Sequence, residues 1–536
     1  MRAVVAVAAL ALALAGPAWG GRYAIGLDHG ASVDAVAARI EAQTGSPVTR
    51  LAPFALVANA RVAPSTPGVS FVEHLERDRV LAFKPNDPML YRQWYVTATH
   101  AFDAWPTWPV RPTLGSVKVA IVDSGVDAFH PELLDRIDDA QSFVPDSPNP
   151  LKDSIGHGTF VAGLIAAQLN NGTGIAGIGF SARLLIAKVV RADGTISPEA
   201  EARAIRWAAN SGARVINLSL AALRDPGDPS DEYSPLEAAA VQYAVSKGAL
   251  VVAAVGNGEG ATKLPWHWAS YPAALPHVLG VSATAVDGSV PDFSNGDPLY
   301  NDIAAPGVGI LSTVPRDLSA DRPTCQGYSN CGPDDFRHGD GTSFAAAQVS
   351  AAAALLLAAR PDLQPDQVEA ILERSADDMT QADGCKRCSV GRDDASGWGM
   401  LDIAGALTRL GLTPVPDAWE PNDDVGTDAY TPPASVQTLK ATLDAWDDPN
   451  DVYRVFLKEG QQLGVGLIAG TTGATVSLLR PGTRTIALPG KPLAQRSAAA
   501  GRRVGFKYRA TDRGWYFVDV SVATAQSGSY TLKLRR

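Results

Sequence analysis

The chain has 536 residues, with 46 Lys and Arg against 56 Asp and Glu, a formal net charge of -10, and 46% of residues are hydrophobic. Such a length exceeds one usual core and predicts two or three domains, with apolar content for one large globular unit. The acidic balance argues against nucleic acid as a partner and favours a soluble protein.

The first twenty residues, MRAVVAVAALALALAGPAWG, set one early Arg before an apolar run and end on the small residues Ala18 and Gly20. This predicts a secretory signal peptide over residues 1–20, cut near Gly20. No later run is expected to span a membrane, because the apolar stretch 351–359 belongs to a helix cut off by Pro361. An exported monomer is the expectation. Cys325, Cys331, Cys385 and Cys388 fit an oxidising compartment. Pairing of sequence neighbours is the simplest of three connectivities, and Cys385 with Cys388 as half of a zinc site is the alternative.

Residues 21–84 alternate strand patterns (22–27, 55–60, 79–83) with a helical stretch, 33–44, which predicts a small α+β unit. The following FKPNDPMLYRQWYV carries Pro85, Asn86, Asp87 and Pro88 and marks an exposed linker. At this point the unit reads equally as a propeptide or an N-terminal domain.

From Ser116 the pattern changes. VKVAIVDSG is a buried strand that breaks at Asp123, and DSIGHGT leads into the helix FVAGLIAAQL with His157 in its first turn. Strand patterns at 183–190, 214–220, 250–255 and 277–283 alternate with helices at 198–210 and 236–247, which predicts a parallel sheet covered on both faces. Gly339 and Gly341 precede Ser343, and residues 344–360 run without a breaker until Pro361, a buried-helix pattern. A serine there either caps the helix or acts as a nucleophile where the helix dipole favours developing negative charge. Active sites of parallel α/β sheets lie at the strands' carboxyl ends. Asp123 and Asn257 follow strands, and His157 and Ser343 lead helices. As four independent turn or cap residues they have no reason to supply a carboxylate, an imidazole, an amide and a hydroxyl in this order.

The runs AIVDSGVD, GHGTFVAG, VINLSL, AAVGNGEG and GTSFAAA, in this order over roughly residues 90–410, resemble the subtilisin-like serine peptidases. The resemblance implies Ser343 as nucleophile, His157 as general base and acid, Asp123 as its partner, and Asn257 with the Ser343 backbone N–H as oxyanion hole. It also implies protein or peptide substrates and no redox or nucleotide cofactor. Ser219, Leu220 and Ala221 fall where the family binds substrate backbone, and Ala253, Gly256 and Ser270 around a small, uncharged primary pocket. Two departures stand out: Ala347 and Gln348 replace the usual Pro-His after the serine, which is expected to alter helix packing only, and Ala221 and Ala222 replace a Gly-Gly pair, narrowing the groove. LNNGTGIAG at 169–177 resembles the family's calcium loop, with Glu132 and Asn171 as candidate Ca2+ ligands. Residues 21–84 then become an inhibitory, folding-assisting prodomain, and 85–411 the catalytic domain.

After a proline-rich linker at 412–424, apolar alternation at 453–457, 463–467, 516–522 and 530–534 predicts an antiparallel β-sandwich over 425–536. Its segments resemble the small C-terminal domain often appended to secreted bacterial peptidases. The leading expectation is a secreted serine endopeptidase made as a self-processed zymogen. The alternatives are a catalytically silent binding protein that keeps the fold and a processing protease of narrow specificity.

Overall fold

Apolar runs buried on both faces dictate the central architecture: in VKVAIVD, Val119 and Ile121 face one apolar layer while Ala120 and Val122 face another. The computed structural model describes residues 21–28, 30–45, 47–51, 55–60, 64, 66–74, 84–104, 114–226, 228–321 and 335–410. Beyond 410 it describes all but 411–418, 420, 421, 423, 426–428, 434, 446–448, 484, 485, 487–489 and 523–526. The expected signal peptide, the strand at 79–83, Pro414, Pro416 and Pro421 of the second linker, Cys325 and Cys331 lie outside the described residues, whereas Pro85 and Asp87, expected in an exposed linker, are buried because the segment packs on the loop at 170–174. The chain divides into two units, Met1–Leu81 and Ala82–Arg536.

In the first unit β1 (Gly21–Leu27), α1 (Val33–Thr44), β2 (Thr49–Leu51), β3 (Ala55–Ala60) and β4 (Val69–His74) build an antiparallel sheet of order β2-β3-β1-β4. The hydroxyl of Ser32 caps α1 by accepting from Ala35 N–H, and Gly45 ends it in the left-handed region at φ 67°. Val36, Ala37 and Ile40 of α1 bury against Ile25, Leu56 and Ala58. The sequence pattern misses β2, too short for a period of two, and β4, where VSFVEH does not alternate.

The second unit begins with α2 (Trp94–Ala98) and continues β5 (Val117–Asp123), β6 (Ile137–Ser142), α3 (His157–Ala166), β7 (Ala182–Lys188), α4 (Pro198–Asn210), β8 (Val215–Leu218), α5 (Pro235–Ser246), β9 (Leu250–Ala254), β10 (Val278–Thr284) and β11 (Ile303–Pro306). The seven strands form one sheet of order β11-β10-β9-β8-β5-β7-β6, and all six neighbouring pairs are parallel. Ser197 and Ser234 cap α4 and α5, each followed by Pro at the first helical position; α4 starts where the sequence places it and α5 one residue earlier, at Pro235. From β5 the chain runs to the edge strand β6, returns to β7 beside β5, then crosses to β8 on the other side of β5. The carboxyl ends of β5 and β8 therefore flank the point where strand order reverses, the usual place for a site.

Then come β12 (Ile310–Thr313), α6 (Arg316–Asp321), β13 (Phe336–Gly339), α7 (Thr342–Ala359), α8 (Pro365–Ser375) and α9 (Ile403–Thr408). Among the described residues α7 is the one helix long and apolar enough to cross a membrane, and it is 94% buried inside the protein. It lies with α3 in the layer that takes Val119 and Ile121, while α4 and α5 cover the opposite face. The chain closes with β14 (Thr438–Asp444), β15 (Asn450–Leu457), β16 (Gln462–Ala469), β17 (Ala474–Leu479), β18 (Ala494–Ala498), β19 (Arg503–Arg509), β20 (Gly514–Val522) and β21 (Ser527–Arg535). They form two four-stranded antiparallel sheets, β14-β21-β16-β19 and β15-β20-β17-β18, over a shared core. Tyr453 of one sheet and Tyr530 of the other meet hydroxyl to hydroxyl at 2.6 Å, and Tyr530 donates to buried Asp451, so the core's polar atoms bond each other.

Candidate active site

Asp123 is the last residue of β5, and its side chain is 1% exposed. Its two oxygens lie 3.0 and 2.9 Å from Nδ1 of His157, the first residue of α3, and Oδ1 also accepts from Ser124 N–H at 2.7 Å. A proton on Nδ1 fixes the tautomer, leaving Nε2 as the basic nitrogen. Burial works to lower the His157 pKa, but the charge and hydrogen bond of Asp123, with smaller contributions from Asp153 and Glu259, outweigh it and hold the imidazole above its ordinary value.

Glycine makes this approach possible. A Cβ on Gly158 would lie 2.1 Å from the Gly125 carbonyl and 3.2 Å from Asp123 Oδ1, so only glycine lets α3 start against the end of β5. Asp153, a residue to which the sequence reading assigned no role, fixes that start. Its carboxylate accepts from Ser124 Oγ and Ile155 N–H, from Gly156 N–H at 2.7 Å, and from both Thr159 N–H and Thr159 Oγ1. Ser124 Oγ in turn accepts from Gly158 N–H. An acidic residue just ahead of a helix start was the available signal.

Ser343, the second residue of α7, is 8% exposed. Its Oγ donates to the Ser219 carbonyl at 3.3 Å, and Ser219 Oγ donates to the Ser343 carbonyl at 2.8 Å. The next residue, Phe344, packs its ring 5.7 Å from the His157 imidazole and 4.2 Å from Phe160 of α3, joining the two helix starts. Asn257, after β9, caps α7 from the other side. Its Oδ1 accepts from Thr342 N–H at 2.8 Å and Thr342 Oγ1 at 2.9 Å, which sets the amide so that Nδ2 is the outward donor. Glu259 receives it: Oε1 accepts from Asn257 Nδ2 at 2.8 Å and Oε2 from Asn257 N–H at 2.7 Å. Sequence reasoning missed Glu259, because the Gly-Asn-Gly-Glu turn does not reveal that the chain doubles back.

The remaining candidates separate. Ala222 pairs with Tyr271 in both directions, and Ala221 beside it is exposed. Leu220 is buried among the residues that cover α4 and α5. Gly256 sits at φ 100°, where a Cβ would come within 2.4 Å of Ser270 Oγ, and Asn295 bonds both Ser270 Oγ and the Val255 carbonyl behind it. Ala253, near the end of β9, has no exposed surface, and Ser270 is 2% exposed. Ala347 and Gln348 are fully buried, and Gln348 Nε2 donates to the Pro306 carbonyl at 2.6 Å, tying α7 to the end of β11.

Away from this centre, Glu132 is fully buried and its oxygens accept from the amide of Asn171, the hydroxyl of Thr173 and Ile175 N–H. Asp87, also buried, accepts from Asn170 and Asn171 N–H. Burial pushes the Glu132 carboxyl up to about 7, with the Asp87 charge adding to it. Cys385 and Cys388 are joined as a disulfide inside a small apolar cluster, as neighbour pairing predicts, so neither offers a thiolate to zinc.

A parallel α/β sheet with a buried carboxylate on an imidazole at its carboxyl edge, beside a serine at a helix start, defines a hydrolytic enzyme of the nucleophile–imidazole class. The subtilase family model matches residues 115–399, and the chain belongs to the subtilase family. It is a serine endopeptidase whose substrates are proteins or peptides. Subtilisin BL from Lederbergia lenta is 38% identical over 298 residues, which cover 55% of this chain and 92% of that protein. The alkaline protease of Shouchella clausii is 36% identical over 345 residues, 64% of this chain and 75% of its own. The solved structure of sphericase superposes with a TM-score of 0.46 at 29% identity, over 58% of this chain and 97% of that one.

Proposed function

We propose that this chain is a secreted endopeptidase, made as a self-processed zymogen, that cleaves peptide bonds through an acyl-enzyme on Ser343. Ser343 Oγ attacks the scissile carbonyl carbon while its proton passes to His157 Nε2. His157 returns that proton to the leaving amine, and water then repeats the sequence to release the acyl group. Asp123 holds the imidazole by Nδ1 and stabilises its cationic form. Asn257 Nδ2 and the Ser343 backbone N–H, the latter at the positive end of α7, receive the carbonyl oxygen as it becomes an oxyanion. The reading is carried by the Asp123–His157 contact at 2.9 Å with Phe344 seating Ser343 beside the same ring. Residues 1–20 act as the export signal, 21–84 as the prodomain that assists folding and inhibits the enzyme, and Ser219, Leu220, Ala221, Ala253, Gly256 and Ser270 as the positions that shape the substrate groove and primary pocket.

Glu132 and Asn171, with Asp87, make a structural Ca2+ site. Glu132 and Asp87 are two buried carboxylates that raise each other's cost of ionisation, which a hard cation held by their oxygens would relieve, and glycine at 174 lets the loop close on Glu132, since a Cβ there would lie 2.0 Å from Oε1. The ion would supply positive charge that cross-links the loop to the catalytic domain.

Expressing Ser343→Ala beside the wild type tests the core of the proposal. Expected are loss of peptide hydrolysis by at least about a thousandfold, loss of labelling by a fluorophosphonate, and an N-terminal segment left attached, at unchanged thermal stability. A wild-type chain that resists the label and never trims its N-terminus would favour the non-catalytic alternative.

A further inference from the structure

The chain is acidic as a whole, yet residues 451–536 hold fourteen Lys and Arg against four Asp and Glu. This charge is not spread evenly over the β-sandwich. In the sheet β14-β21-β16-β19 the residues Leu439, Leu463, Val465, Leu467, Leu532 and Leu534 point into the core, so their neighbours in sequence form the opposite, outward face. Strand register places Lys440, Lys533 and Arg535 on one side of β16 and Arg503, Lys507 and Arg509 on the other. Five of the six are exposed and Lys533 is half-buried. Among the described residues this face has one carboxylate, Asp444 at its end, and that group is buried and engaged by Arg374.

Between the two basic rails the floor is bare. Gly464 faces Arg535 and Lys507, and Gly466 faces Lys533 and Gly505. A side chain at Gly464 or Gly466 would meet only ordinary contacts, 3.6 Å from Arg535 Cβ and 3.8 Å from Lys533 Cβ, so packing does not demand glycine there. At Gly505 a Cβ would lie 2.6 Å from the Val465 carbonyl, and glycine is obligatory. The result is a shallow trough one strand wide, flanked by cations on strands about 10 Å apart.

We propose that this trough binds an acidic polysaccharide, anchoring the enzyme to a polyanionic matrix while the acidic catalytic domain is repelled from it. An extended chain bearing anions on both edges matches two rails over a flat floor, and the Lys and Arg side chains recognise carboxylate or sulfate groups by charge-assisted hydrogen bonds. Nucleic acid is a poorer match: the described outward residues of this face include no aromatic ring to stack a base. A bilayer is poorer too, since Ile468 is the single apolar side chain among them.

The test uses the full chain carrying Ser343→Ala, so that self-cleavage does not intervene, and calorimetric titration with polygalacturonate, neutral dextran, a single-stranded oligonucleotide and phosphatidylglycerol vesicles. Expected are binding of polygalacturonate that weakens with added salt, none of dextran, and about a tenfold affinity loss in the double variant Lys507→Gln, Arg535→Gln. Arg480→Gln, which removes a charge beyond the other sheet, is expected to change nothing. The proposal is overturned if the double variant binds as the parent does, if Arg480→Gln loses as much, or if oligonucleotide or vesicles bind more tightly than polygalacturonate. Thermal melting confirms that each variant is folded, and Gly466→Gln, which fills the trough and leaves every charge in place, gives a second route to the same loss.

Discussion

Glu259 engages the amide assigned to the oxyanion in the proposed mechanism. Asn257 Nδ2 donates one hydrogen to the Glu259 carboxylate at 2.8 Å, a charge-assisted bond stronger than a neutral one. The same carboxylate contributes to holding the His157 pKa up. A base whose pKa is raised loses its neutral form at a higher pH, so activity is expected to fall on acidification from above the ordinary imidazole value of about 6.5. Glu259→Gln keeps an acceptor for Asn257 but removes the charge, and the acid limb of kcat/KM against pH is expected to move to lower pH. A limb that stays in place in the variant would show that Glu259 does not act on His157.

At the scale of elements, α4 and α5 cover the sheet with a carboxyl pair buried between them. Burial pushes Glu201 well above the usual carboxylate range, with the Glu237 charge acting in the same direction, and burial raises Glu237 as well. The fold therefore favours the protonated form. That contribution to stability is complete below the ordinary value near 4.5 and is lost as pH rises through the raised one. In a Ser343→Ala background, Glu201→Gln is expected to melt at or slightly below the parent in acid and about 3 °C or more above it in alkaline buffer, measured by calorimetry. Parallel Tm curves across the range would remove the pair from the account. The helices themselves were legible: the patterns at 198–210 and 236–247 match α4 and, to within a residue, α5, and Pro361 ends the run of α7. Which helix face meets which was not, because Glu201 and Glu237 are 36 positions apart and read as solvent-facing charges within their own helices.

At the scale of the whole molecule, the proposed Ca2+ site links Asp87, at the start of the second unit, to Glu132 and the loop at 170–175. A ligand that binds only the folded chain raises its stability by mass action, about 2.7 kcal/mol at a hundred times its dissociation constant. Melting in EDTA is expected to occur several degrees below melting in millimolar Ca2+, with the gap much reduced in Glu132→Gln. Equal Tm values in the two buffers would dismiss the ion. The β-sandwich is tied to the same unit through Arg374 of α8, which engages Asp444 of β14 and Ser527 of β21, a contact between residues that carry no common motif.

The sequence by itself determined a parallel sheet between helices, five of its seven strands, the antiparallel character of the C-terminal region, and Asp123, His157, Asn257 and Ser343 as candidates; β6, β11 and half of the C-terminal strands carry no legible pattern. These follow from local periodicity and from turn chemistry, which a few adjacent residues carry. Tertiary structure alone decided that Asp153 pins the start of α3, that Glu259 closes on Asn257, that Ala253 belongs to the core, and that six cations from β14, β19 and β21 share one face. The shared cationic face depends on strand register, and the burial of Ala253 on helices packed from elsewhere in the chain. The contacts of Asp153 and Glu259 are short in sequence but depend on how a loop turns its side chain back onto neighbouring groups, which residue order does not show.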